Sequence, residues 1–485
     1  MWTGALFALN ALLNLGLALA LAWALPASAY GAFTVYFAAA LLVGDLSYDW
    51  VRFSAVRFYT PVARVSEPAL RATLDVSLAA STGIMIALAM LISVSGALPA
   101  ISAGAFVGLI AVTGANAAFE YWTALCRARF DTRRYAVMVV TRNVLTFGLT
   151  VPVAALTGSF TMALAAFAVA VVPSVLYGAA RLKDKEARPA LAARAQAARF
   201  ASYAAPLVLA EGCYLVIAAA NRTFLAHEVS LAEAGAYALT FDLAFRVLAV
   251  TASVGDAVLF PRLVANLHIQ GAARTREEIA RNIAVMLLVL APAAMGFALV
   301  AEPLAELVLA EHFREAFARF APVAIVAAFV YTAQTFVLRP AFQVELRTAD
   351  MPLAAVAALL VDLAMLMLLP GDGLLAASCA HLAGMCVGLA LVLRRAIAAR
   401  LVDWPLRDIG KIAVSVALLA VCVAALRFEG RPFATLLARA ACGACVYGAA
   451  AWLLDAAGLR SLLISAARPS RDGQGRNAAT GATPI

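Results

Sequence analysis

The feature that most constrains this chain is the recurrence, from one end to the other, of apolar runs about as long as a membrane is thick. ALFALNALLNLGLALALAWAL over residues 5–25 and MLLVLAPAAMGFALV over residues 286–300 are two of them. A bilayer core is crossed by roughly 20 apolar residues in a helix. Inside lipid the backbone must satisfy its own hydrogen bonds, so such runs are helices. Only 13% of the 485 residues are charged and 65% are hydrophobic, whereas a soluble domain is about one quarter charged. The sequence therefore predicts an all-α polytopic membrane protein of about fourteen spans. They fall at 4–25, 30–50, 74–97, 101–124, 136–157, 160–180, 203–225, 233–257, 280–300, 319–340, 351–370, 374–394, 410–426 and 434–456.

The net charge of +9 is spread over short connections and does not gather into a patch, so it reads as topology-determining charge and not as a nucleic-acid surface. One set of connections is basic: Arg52, Arg57, Arg64 and Arg71; Arg127, Arg129, Arg133 and Arg134; then Arg181 through Arg199, and so on to Arg460. The alternate set is nearly bare of cations, and its longest member, 301–318, carries Glu302, Glu306, Glu311 and Glu315. The positive-inside rule makes the basic set cytoplasmic, and an even number of spans puts both termini there. Segment 301–318 is expected as an amphipathic helix on the outer surface, with Leu304, Leu307 and Val308 toward lipid. Ala27-Ser28-Ala29 has the look of a signal-peptidase site, but residues 1–25 hold no basic side chain; an uncleaved first helix is expected. The cysteines lie in or beside spans, and Cys442-Gly-Ala-Cys445 reads as small-residue helix packing, with no metal site.

The chain also repeats. Ala29-Tyr30-Gly31-Ala32-Phe33 opens span 2 and Ala234-Gly235-Ala236-Tyr237 opens span 8. Aligning Gly31 on Gly235 superposes two long apolar helices that end near Pro61 and Pro261. Two six-helix bundles in one orientation imply a parallel repeat about an axis along the membrane normal, with a central site between the halves. The expected organisation is an N-terminal bundle over 1–180, a basic cytoplasmic linker over 181–202, a second bundle over 203–400, two additional helices over 401–460 and a disordered cytoplasmic tail over 461–485.

Several short motifs recur in order across both halves. They are the Tyr30-Gly31 motif with Val51-Arg52-Phe53 through Arg57-Phe58, then Phe119-Glu120-Tyr121-Trp122 with Arg127-Ala128-Arg129 and Tyr135-Ala136. In the second half come Tyr203-Ala204-Ala205-Pro206-Leu207, Asn221-Arg222-Thr223-Phe224-Leu225, Ala234 through Leu239, and Phe260-Pro261-Arg262-Leu263. Together the chain resembles the polysaccharide transporter family, the O-antigen flippases of the multidrug/oligosaccharidyl-lipid/polysaccharide exporter superfamily. The resemblance implies a flippase in the bacterial cytoplasmic membrane. It would move a polyprenyl-diphosphate oligosaccharide between leaflets for O-antigen or exopolysaccharide synthesis, beside polysaccharide polymerase and chain-length proteins. It also implies that the position before Thr223 is commonly basic, as Arg222 is here.

Charges at bilayer depth cost about 2.5–3.5 kcal/mol each on insertion scales, so they face protein or a water-filled cavity. At about 1.5 Å per residue, Asp242 and Arg246 lie near mid-depth in span 8, four residues apart and on one helix face. Arginine suits a diphosphate, because its planar fork stays charged and binds bidentately. Arg246 and Arg222 are therefore expected to line a cationic cavity, with Asp242 tuning or masking Arg246. Asn14 and Asn10 are expected to meet sugar hydroxyls. A structural Asp242–Arg246 pair, and an Arg222 that snorkels to the surface, are the rival readings. Glu211 and Asp362 are candidate H+ or Na+ sites, and His381 reads as a core histidine.

No P-loop, zinc motif or GxSxG is present, and the longest outer loop offers no convincing site, so no enzyme activity and no cofactor is expected. The expected partners are the lipid-linked oligosaccharide and membrane lipids. A cation-coupled multidrug exporter and a peptidoglycan lipid-precursor flippase of the same superfamily remain the alternatives.

Overall fold

The computed structural model describes the backbone of residues 2–96, 101–270, 272–344, 351–369, 373–426 and 431–460. Side chains are described there except at 2–12, 61–62, 253–258, 260–273, 275 and 343–344. Among the described residues there is no strand. In chain order the helices are α1 (Trp2–Ala24), α2 (Ala27–Phe58), α3 (Pro61–Ser66), α4 (Pro68–Ser95), α5 (Ala103–Ala128), α6 (Thr132–Thr157), α7 (Phe160–Arg181) and α8 (Arg194–Glu228). They continue with α9 (Leu231–Gln270), α10 (Ala272–Val308), α11 (Glu311–Thr332), α12 (Arg339–Val344), α13 (Met351–Leu368), α14 (Gly373–Ala398), α15 (Leu406–Ala425) and α16 (Pro432–Leu453). A π-helical segment, Ala333–Leu338, joins α11 to α12.

Thirteen stretches among the described residues are long and apolar enough to cross a membrane. With α1, a 23-residue helix, they meet the expectation of about fourteen. Their outer faces are those of a protein solvated by hydrocarbon: Ile84, Leu91, Val107, Val421 and Met367 all stand exposed on the spanning helices. In water an apolar surface of this extent would aggregate. The turns between spans are closed by local chemistry. Ser102 accepts from the Ala105 amide at the start of α5, Asp131 from Arg134 at the start of α6, and Ser159 from Met162 at the start of α7. Gly158, with φ of 62°, ends α6 in the left-handed conformation that permits the tight turn into α7.

Packing sorts the helices into two sets. Helix α2 packs on α5, α5 on α7, α7 on α6 and α6 on α1; separately, α9 packs on α11, α11 on α14, α14 on α13 and α13 on α8. The sets meet where α2 lies against α8 and α9. The added pair α15 and α16 packs on itself and on α10.

Three features differ from the sequence expectation. No separate surface helix forms over 301–318: α10 runs unbroken to Val308, and α11 starts at Glu311. Pro303 and Pro322 are absorbed inside these helices. Helix α8 begins at Arg194, inside the expected linker, and the short α3 follows Pro61. The expected tail over 461–485 lies outside the described residues.

The connection between the sets is tied down at its start. Asp184 accepts hydrogen bonds from the Tyr59 hydroxyl, from Arg64 Nε at 3.0 Å and from Arg129 Nη2 at 3.0 Å. Arg71 and Arg129 donate to the Leu182 carbonyl at 3.1 and 2.9 Å. Thr73 Oγ1 accepts from the Ala193 amide and lies 3.0 Å from Gln196 Oε1. Burial works against a charged Asp184, but the Tyr59 hydroxyl and the Arg129 and Arg64 guanidiniums outweigh it and hold the carboxyl below its ordinary range.

Candidate functional site

Between the two helix sets lies a cavity of about 250 Å³. Helix α1 contributes Asn14 and Leu21, and α2 contributes Tyr30, Phe33, Thr34 and Phe37. Asn116 and Glu120 of α5, Arg142 of α6 and Phe167 of α7 complete the wall from the first set; Arg222 of α8 with Asp242 and Arg246 of α9 form the wall from the second. The cavity thus collects three arginines, two carboxylates and two amides at membrane depth.

The pairing inside it corrects the sequence expectation. Asp242 does not mask Arg246 and the two form no intrahelical pair. Asp242 Oδ1 lies 2.5 Å from Arg222 Nη2 on the neighbouring helix. Arg222 is buried and also points Nη1 toward the Thr34 carbonyl of α2 at 3.5 Å, so it does not snorkel. Arg246 Nη1 instead donates to the Asn14 carbonyl at 2.9 Å, and among the described residues it has no carboxylate partner. The side chain of Asn10 lies outside the described residues.

The wall from the first set has its own network. Arg142 Nη2 donates to Asn116 Oδ1 at 2.8 Å, and Nη1 stands 3.9 Å from Glu120. Its guanidinium lies over the rings of Phe119, at 4.4 Å, and Phe167, at 5.9 Å. Glu120 is shared with Arg52, 3.7 Å away. The signal that would have found Arg142 and Asn116 is absent from any one helix: they sit on adjacent helices and meet only through packing.

Contacts join the two sets at both ends of the cavity. At the Gly31 end, α2 and α9 touch backbone to backbone: a methyl group on Gly31 would sit 1.5 Å from the Leu231 carbonyl oxygen, and one on Gly235 would sit 3.0 Å from the Gly31 nitrogen. Glycine is required there because no Cβ fits. The repeat-related glycines are thus in contact with each other. Tyr30 meets Phe313 edge-on at 5.3 Å, and Trp23 Nε1 donates to the Val308 carbonyl at 2.7 Å. At the opposite end Arg52 bridges Asp49, at 2.5 Å, and Glu211 of α8, at 3.4 Å, and Glu211 also pairs with Arg339 at 3.5 Å. Phe58 stacks on Phe200 and meets Tyr203 edge-on.

Glu211 is therefore engaged by two cations and lies away from the cavity. Asp362 is fully buried in the second set and accepts two hydrogen bonds from Asn221 Nδ2, at 2.8 and 3.1 Å. It has no cation partner among the described residues, and the buried Asn221 Oδ1 has no hydrogen-bond partner. His381 is a core residue: Nδ1 meets the Tyr237 hydroxyl at 2.5 Å, and the ring packs on Phe241 and Phe245. No group of three or more His, Cys, Asp or Glu among the described residues could hold a metal ion.

Residues 73–318 match a protein family described as "Polysaccharide biosynthesis protein". No curated protein matches the sequence. The fold matches the solved structure "Lipid II flippase MurJ, inward closed conformation" with a TM-score of 0.67 at 12% identity, covering 95% of this chain and 99% of that one. It matches "eukaryotic MATE transporter AtDTX14" with a TM-score of 0.51 at 12% identity, covering 81% of this chain and 93% of that one. A multidrug resistance MATE family transporter of the MOP superfamily in its outward-facing conformation gives 0.50 at 14% identity, covering 81% and 94%. At these identities the likeness concerns the fold.

Proposed function

Because the chain belongs to the polysaccharide biosynthesis protein family, we propose that it is a flippase for a polyprenyl-diphosphate oligosaccharide. It carries the headgroup across the bacterial cytoplasmic membrane by alternating access, for O-antigen or exopolysaccharide synthesis, with both termini cytoplasmic. The two helix sets are the moving halves, and the membrane and its lipid-linked cargo are the partners. The carrying observation is Arg246: a guanidinium in a membrane-depth cavity between the halves, anchored on a backbone carbonyl and in no ion pair among the described residues. Such a group offers its remaining N–H donors to a phosphate. Arg222 adds positive field from beside Asp242, and Asn14 holds Arg246 in place through its carbonyl.

The two alternatives share this fold. A lipid-linked saccharide is preferred as cargo because the matching family is one of polysaccharide biosynthesis. For coupling, Asp362 is assigned the H+ or Na+ site in preference to Glu211. Asp362 is buried without a cation beside the unpartnered Asn221 oxygen, while Glu211 is held by Arg52 and Arg339.

The test is Arg246→Ala, with flipping followed in vesicles carrying a labelled lipid-linked saccharide at matched protein level. A loss of tenfold or more is expected, with Arg246→Lys intermediate because it keeps charge and loses the fork. Unchanged transport in Arg246→Ala would refute the assignment. In Asp362→Asn, transport should lose its response to an imposed pH or Na+ gradient; a retained response removes Asp362 from the coupling role.

A further inference from the structure

A second cavity lies away from the central one, on the outside of the second helix set. It has a volume of about 230 Å³ and is walled by the first turn of α13 and the last turns of α14. Leu391, Arg394, Arg395 and Ala398 line it from α14. Their spacing of three and four residues puts them on one face of that helix. Leu353 and Ala354 line it from α13. None of the described lining residues is acidic.

This arrangement favours an anion. Two guanidiniums offer planar forks of N–H donors to phosphate oxygens. Leu353 and Ala354 stand within the first four residues of α13, whose N–H groups have no acceptor inside the helix and lie at the positive end of its dipole. The two arginines belong to the basic set of connections, which the positive-inside rule assigns to the cytoplasmic face. The cleft therefore sits at the phosphate level of the inner leaflet.

The rest of the cleft is apolar and leads into the membrane. Leu353, Leu360 and Met367 recur every seven residues, nearly two turns, and so share one face of α13. They stand 54%, 61% and 85% exposed, which leaves that face open to hydrocarbon. From Leu353 to Met367 the row runs about 21 Å at 1.5 Å per residue, more than the roughly 15 Å depth of one leaflet. An occupant thus meets arginines at its head and an apolar row along its tail.

We propose that this cleft binds one anionic phospholipid of the inner leaflet, with its phosphodiester on Arg394 and Arg395 and an acyl chain along α13. A basic cleft between spanning helices at the cytoplasmic side suits such a headgroup. A zwitterionic lipid fits less well, because its ammonium brings a like charge to the two arginines. The lipid-linked cargo fits less well too, since the cleft shares no lining residue with the central cavity. The bound lipid joins the start of α13 to the end of α14, the helices that carry Asp362 and His381.

Native mass spectrometry of the purified full-length protein tests this, with dioleoyl-phosphatidylglycerol and dioleoyl-phosphatidylcholine added in equal amounts. The wild type should hold phosphatidylglycerol about tenfold more tightly. In the double variant Arg394→Gln, Arg395→Gln that ratio should fall to within twofold. Ala398→Trp keeps both charges and fills the gap, so it should lose the ratio as well. Arg407→Gln removes an exposed arginine that does not line the cleft and should leave the ratio unchanged. Equal binding of the two lipids by the wild type overturns the proposal. So does a tenfold ratio that survives in the double variant or in Ala398→Trp, or an equal loss in Arg407→Gln, which would make net charge the cause. Two competitors identify the occupant. Glycerol 1-phosphate should not displace phosphatidylglycerol; displacement would make this a site for soluble phosphate. Farnesyl diphosphate methyl ester should compete no better than phosphatidylglycerol itself. Tighter binding of the ester that is lost in the double variant would make the cleft a cargo site and overturn the phospholipid assignment. The flippase reading stands or falls separately, on transport by Arg246→Ala.

Discussion

Replacing Gly31 by alanine should expel the contact that joins the halves at that end of the cavity. The added methyl would lie 1.5 Å from the Leu231 carbonyl oxygen and 2.5 Å from its carbon. To reach ordinary van der Waals separation, α2 and the start of α9 must move about 2 Å apart. The obstacle is backbone, so no rotamer change relieves it, and close-packed interfaces switch between arrangements more readily than they deform. Overpacking of this kind costs about 1–3 kcal/mol, which disfavours the joined arrangement by roughly 5–150-fold. The reporter is a cysteine at Thr34, which lines the cavity just inside the contact, in a background with the native cysteines replaced. A membrane-impermeant maleimide is applied from the Gly31 side. Gly31→Ala should speed labelling by a factor in that range and slow flipping, because the cycle can no longer close at this end. Gly83→Ala, where a methyl meets nothing within 4 Å, is the control and should label at the parental rate. Unchanged labelling together with normal flipping in Gly31→Ala would refute the reasoning.

The other predictions concern charge. Arg222→Ala strands Asp242 in a partly buried site and should lower the thermal stability of the purified protein by about 3 kcal/mol. Adding Asp242→Asn should recover most of the loss, and a double variant no more stable than the single would show that the pair is not the cause. Asp184 has its carboxyl held below the ordinary range, so its stabilising contribution is present above the unfolded value of about 3.9. That contribution is lost as pH falls through the lower folded value. Hydrogen exchange over residues 182–193, taken relative to the intrinsic amide rate at each pH, should therefore stay slow from pH 5 to 8 and accelerate in acid. Asp184→Asn should accelerate it at neutral pH, by a loss of about 1–3 kcal/mol; equal protection in the variant removes Asp184 from the tether.

Much of the architecture was legible because lipid leaves few choices. A long apolar run in a bilayer has to be a helix, so the spans follow from composition. The alignment of Gly31 on Gly235 came from short flanking motifs, and the structure brings those two residues into contact. The site was legible in part. Arg222, Arg246, Asp242 and Asn14 do line one cavity, since a charge at membrane depth must face something other than lipid. The wiring was not legible. Spacing along one helix suggests Asp242 with Arg246 and says nothing of Arg222, which arrives on α8. Nothing in the sequence singles out Arg142 as a cavity residue, because the rings of Phe119 and Phe167 that accommodate it lie on two other helices. The acidic run over 301–318 resembled a surface helix. Its apolar positions serve instead as the ends of two spans, where Phe313 and Phe317 are buried against their neighbours.

Helix α8 has a consequence of a mechanical kind. Its first turns belong to the first helix set, through Gln196 beside Thr73 and Phe200 against Ser54 and Phe58. Its far turns belong to the second, through Asn221 on Asp362 and Arg222 on Asp242. The covalent link between the sets is thus a stiff shaft clamped at both ends and not a slack tether. Pro206, which lacks an amide hydrogen to bond the preceding turn, lies between the clamps. Bending of such a shaft is easiest where a backbone hydrogen bond is missing, so in the alternating access proposed above the swing of the halves would turn on one proline and on the grip of two distant side-chain clusters.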